Sequence, residues 1–143
     1  MLNDRWMRRA LWAAAIFNLG GAFLFAFPSS SIGQLAGLSG VVPTIYRALL
    51  AMFILLFAAA YAWLARRPRI DRPLVAFSAI GKTAAFVVVA ACWLLGDIPG
   101  RGVLAGSGDL AFAAFFALWL MSAEPDATSV PDMSAHGHVP RAT

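Results

Sequence analysis

Residues 74–95 read LVAFSAIGKTAAFVVVAACWLL, an apolar run broken by a single full charge at Lys82. At 1.5 Å per helical residue the run is about 33 Å long, enough to cross a hydrocarbon core of about 30 Å. Backbone N–H and C=O groups within lipid must pair inside the protein, so a spanning segment is either a helix or a strand of a closed barrel. Barrel strands alternate in roughly ten-residue pieces, and this run does not alternate. Three further runs of the same kind cover residues 10–27, 44–65 and 103–121, and the last carries Asp109. The sequence therefore predicts an all-α, integral membrane, up-down four-helix bundle within residues 1–122.

The composition fits that reading. Of 143 residues, 61% are hydrophobic and 13% charged, against about 25% charged in soluble domains. The net charge of +4 does not point to nucleic acid, because eight of the eleven basic residues are arginines beside the apolar runs: Arg5, Arg8, Arg9, Arg66, Arg67, Arg69, Arg72 and Arg101. Cys92 is the sole cysteine, which excludes an intrachain disulfide. The sequence has no Walker loop, dinucleotide-binding fingerprint, HExxH or serine elbow, so no cofactor is expected.

The run ends are punctuated. Pro28 with Ser29, Ser30 and Ser31 closes the first, and Pro43 precedes the second, where Thr44 is placed to cap free N–H groups. Pro68 and Pro73 bracket the second connection, while Gly96, Pro99, Gly100 and Gly102 mark the third as a tight turn. Connections of about 16, 8 and 7 residues favour antiparallel neighbours. The N-terminal tail carries three arginines and the second connection four, whereas the first connection has none and the third only Arg101. By the positive-inside rule both termini are then cytoplasmic, and Trp12, Trp63, Trp93 and Trp119 near the run ends suit an aromatic belt. A signal-peptide reading of the first run is opposed by its length and by Phe25, Phe27 and Pro28, where a cleavage site needs small residues.

Two segments outside the apolar runs carry weaker signals. Ile32, Leu35, Leu38 and Val41 recur about every three residues, as in a short amphipathic piece on the outer surface or a loop covering the helix ends. Residues 123–143 are polar and Pro-bearing and read as a disordered cytoplasmic tail. His136 and His138 there lack the further ligands and fixed frame of a metal site.

An unpaired charge at mid-bilayer costs about 2.5–3.5 kcal/mol on insertion scales, so Lys82 and Asp109 should face a partner, a cavity or water. Lys82 lies roughly 12 Å in from the cytoplasmic end of its run and Asp109 roughly 9 Å in from the outer end of its own, so antiparallel helices bring the two within reach. Arg47, roughly 5 Å deep from the outer side, competes for the same carboxylate or snorkels to the headgroups. Asn18, followed by Gly20 and Gly21, offers an amide for an interhelical hydrogen bond. Ser78, one turn before Lys82, shares its face. Tyr46 and Tyr61 read as interfacial anchors, and Gly106-Ser107-Gly108 either packs closely or loosens the fourth helix beside Asp109. The candidate binding residues are Asn18, Arg47, Lys82 and Asp109, with no catalytic residue assigned.

Phe17-Asn18 with Gly20-Gly21, Tyr46-Arg47, Gly81-Lys82 and Gly108-Asp109, one group in each run, make the chain resemble small bacterial four-helix inner-membrane proteins of the DoxX-like kind. The resemblance covers about residues 5 to 122 and implies the bundle fold and a bacterial inner membrane. The polar residues suit a binding or accessory protein that positions a lipid, quinone or membrane-protein partner, alone or as a homo-oligomer. The alternatives are a proton- or solute-coupled transporter subunit with a titrating Asp109, a purely structural ion pair, and a membrane enzyme using Lys82 on a lipophilic substrate.

Overall fold

In a computed structural model that describes residues 3–38 and 42–122, the chain forms α1 (Asp4–Ala26), α2 (Ser31–Leu35), α3 (Thr44–Arg66), α4 (Arg72–Leu94) and α5 (Gly100–Ser122). The described residues include no strand. The proposed tail with His136 and His138, and Val41 of the first connection, lie outside them. The four long helices have 23 residues each and are apolar enough to cross a membrane.

Local chemistry explains where they begin and end. The Asn3 side chain accepts from the Arg5 N–H at 3.1 Å, and Asp4 in the first turn complements the helix dipole. So α1 starts six residues before the apolar run and takes Arg5, Arg8 and Arg9 into the helix. Asp71 caps α4 in the same way, accepting from the Leu74 N–H at 3.0 Å, with Pro73 in the tolerant first turn. Thr44 does not cap α3: the cap position is Pro43, which has no side-chain acceptor, and the Thr44 hydroxyl accepts from Arg47 instead.

The third connection is shorter than its glycines suggest. Gly96 takes a positive φ of 83°, its N–H donates to Trp93, and the Asp97 N–H donates to Cys92, which closes α4 with a Schellman turn. Gly100 and Gly102 already belong to α5.

The helices form two tight antiparallel hairpins. Helix α1 lies along α3, and α4 lies along α5; the hairpins meet where α1 touches α5 and where Phe57 of α3 stacks on Phe77 of α4 at 6.4 Å. Small residues permit the close pairings: a Cβ on Gly21 would stand 3.6 Å from Ile54, and one on Gly106 would stand 3.1 Å from Val89.

One end of each hairpin is pinned by an arginine. Arg8 donates to the carbonyls of Ala65 (2.7 Å), Arg67 (2.5 Å) and Pro68 (2.8 Å), satisfying acceptors that α3 leaves open at its C-terminus. Arg72 donates to the Leu120 carbonyl at 2.7 Å near the end of α5.

The surface is inverted relative to a water-soluble bundle. Met7, Leu11, Leu64, Val75 and Phe116 are fully buried, yet Ile16, Ile80, Val88 and Leu104 are 62–75% exposed. Each such side chain forgoes about 1.5–3 kcal/mol in water, a cost absent in hydrocarbon. Trp6, Trp12, Trp63 and Trp93 are exposed, whereas Trp119 is buried beneath the Arg72 guanidinium, 5.7 Å away, and so is a core residue rather than part of a belt.

Candidate functional site

Lys82 stands ten residues into α4, about 15 Å from its start in a helix about 34 Å long. It faces the middle of the bundle and is 4% exposed. Its ammonium donates to Asp109 Oδ1 of α5 at 2.5 Å and to Asn18 Oδ1 of α1 at 3.0 Å. The rings of Phe17, Tyr61 and Phe112, from α1, α3 and α5, have centroids 5.2, 5.4 and 5.2 Å from the same nitrogen. One side chain thus touches all three other long helices and joins the two hairpins at mid-depth.

The arrangement follows from what each helix supplies. A buried ammonium needs acceptors for its protons and negative potential around it, and aromatic faces provide the second where acceptors run out. Phe17 reaches the ammonium because α5 has Gly108 beside Asp109: a Cβ there would lie 2.5 Å from the Phe17 ring. The Gly106-Ser107-Gly108 stretch is therefore a close-packing device within a continuous helix. Phe17 packs on Phe112 at 5.6 Å, Phe112 on Phe116 at 6.2 Å, and Phe116 edge-on to Tyr61 at 6.1 Å, so the rings form a continuous wall.

Asp109 is the open member. It uses Oδ1 for Lys82, no described residue donates to its second oxygen, and its side chain remains 24% exposed. The cluster can therefore accept one further hydrogen bond at a depth where water is scarce. Among the described residues no three His, Cys, Asp or Glu side chains gather as a metal site requires.

Three of the four candidate residues, Asn18, Lys82 and Asp109, come together. Arg47 stands apart: it donates to Thr44 Oγ1 at 3.1 Å and makes no ion pair with Asp109. Tyr61 is 3% exposed within the cluster, so it is not an interfacial anchor, whereas Tyr46 is 65% exposed. Ser78 lies beside the Tyr61 hydroxyl and donates to the Leu74 carbonyl of its own helix. Phe17 and Phe112 were not legible as site residues, although each flanks a polar member, Phe17 next to Asn18 and Phe112 one turn after Asp109.

No family model, curated protein or solved structure matches this chain.

Proposed function

We propose that the protein is a small multi-pass membrane protein of the binding or accessory type, in which Asn18, Lys82 and Asp109 hold the hairpins together and Asp109 receives a hydrogen-bond donor from a lipophilic ligand or partner helix. The observation that carries this reading is the unengaged Asp109 oxygen on a carboxylate otherwise fixed by Lys82. A purely structural pair gains most when both oxygens are satisfied, because a carboxylate oxygen left without a donor in a low-dielectric region is costly. The bacterial inner membrane is the setting suggested by the resemblance, and cytoplasmic termini follow from the arginine distribution. Quinones offer carbonyls rather than donors unless reduced, so a quinol, a hydroxylated lipid or a polar partner helix fits the open acceptor better.

The test is native mass spectrometry of the chain extracted gently with its lipids. Wild type should retain a bound species that Asp109→Ala loses while still inserting as a helical bundle. Equal recovery from both would refute the binding reading.

A further inference from the structure

At the other end of α3 from the Arg8 clamp, a second feature has a different chemistry. A groove of about 160 Å³ is walled by Phe25 and Pro28 at the end of α1, Leu38 and Val42 of the first connection, and Leu50 of α3, and its lining is almost wholly apolar. Arg47 also lines it. The guanidinium Nε is buried and has no hydrogen-bond acceptor, and the only partner of the side chain among the described residues is the Thr44 hydroxyl. No described carboxylate pairs with it. The first turn of α3, which carries Arg47, has no side-chain cap for its free N–H groups.

A guanidinium whose one described partner is a neutral hydroxyl, on a helix turn with free N–H groups, attracts an anionic oxygen, and the apolar groove it lines accepts hydrocarbon. Arg47 lies about 4.5 Å from the start of α3, the depth of a lipid headgroup when the helix spans a bilayer. We infer that this groove binds one anionic phospholipid, the phosphodiester on Arg47 and the first turn of α3, and part of an acyl chain along Phe25, Leu38 and Leu50. A net-negative headgroup leaves no second cation to be placed against the guanidinium, which favours it over a zwitterionic one. This site is separate from Asp109 and requires only that α3 spans a bilayer.

The experiment offers the purified full chain in detergent phosphatidylglycerol, phosphatidylcholine of identical acyl chains, or the matching free fatty acid, and counts retained molecules by native mass spectrometry. A single arginine near a headgroup gives a preference of about five- to tenfold for phosphatidylglycerol over phosphatidylcholine. Arg47→Gln should reduce it to less than about twofold. Val42→Trp, which fills the groove and keeps the charge, should lower retention of phosphatidylglycerol, and it carries the test if Arg47→Gln does not fold. Gly81→Ala, whose added Cβ meets nothing within 4 Å, should leave the preference unchanged. The inference is overturned by a wild type without headgroup preference, by a preference that survives Arg47→Gln, by undiminished retention in Val42→Trp, or by fatty acid retained as well as phosphatidylglycerol.

Discussion

Replacing Asp109 with Leu leaves the Lys82 ammonium with Asn18 as its one polar acceptor, at 3.0 Å, inside a ring of Phe17, Tyr61 and Phe112. Breaking a buried ion pair on one side costs about 3–5 kcal/mol, and an unpaired charge at mid-bilayer costs about 2.5–3.5 kcal/mol on insertion scales. Asn18 and the rings hold the ammonium in wild type as well, so they cancel in the comparison and offset none of this loss. The net loss for Asp109→Leu is therefore about 2.5–5 kcal/mol. Lys82→Met with Asp109→Leu removes both charges and keeps the volume, so the double variant should lie within about 1.5 kcal/mol of wild type. Unfolding by sodium dodecyl sulfate in mixed micelles, followed by tryptophan fluorescence, measures both. A double variant at least as unstable as Asp109→Leu would refute the claim that the two residues act as a pair.

Other perturbations probe the frame. Arg8→Ala should destabilise the bundle by about 2 kcal/mol in the same assay, and Arg8→Lys should recover little, because a point charge cannot reach three carbonyls as the planar fork does. Gly108→Ala drives a Cβ into the Phe17 ring and should cost about 1–3 kcal/mol, whereas Gly81→Ala meets nothing within 4 Å and should gain about 0.5–1 kcal/mol from helix propensity. On a Cys92→Ala background, a cysteine at Ser30 should react with a membrane-impermeant maleimide added to intact cells and one at Arg69 should not; the reverse pattern would invert the topology.

The spans were readable because about 20 apolar residues in a row is a demanding condition, and the runs at 44–65 and 74–95 differ from α3 and α4 by no more than two residues at either end. The start of α1 was not readable from hydropathy. Asn3 and Asp4 start the helix inside the arginine tail, and Arg8 is held there by carbonyls of α3. Depth arithmetic brought Lys82 and Asp109 together because rise per residue is fixed. Rotation about each helix axis escaped it. In lipid the outward face is as apolar as the core, so no amphipathic stripe distinguishes buried Trp119 and Tyr61 from exposed Trp63 and Tyr46, or turns Arg47 toward Asp109 rather than into its groove.

Exchanging the central charges separates a bolt from a binding site. The Lys82→Asp and Asp109→Lys double variant keeps a cation and a carboxylate between α4 and α5 but moves the open oxygen to another helix. Native mass spectrometry of this variant beside wild type, with unfolding measured on the same samples, tests the central claim most directly. Lys82→Asp sets a carboxylate against ring faces that suit a cation, so the predicted result is a stability below wild type but above Asp109→Leu, with loss of the bound species. A swapped chain that recovers this stability and retains the species would contradict it and leave Lys82 and Asp109 as a structural pair.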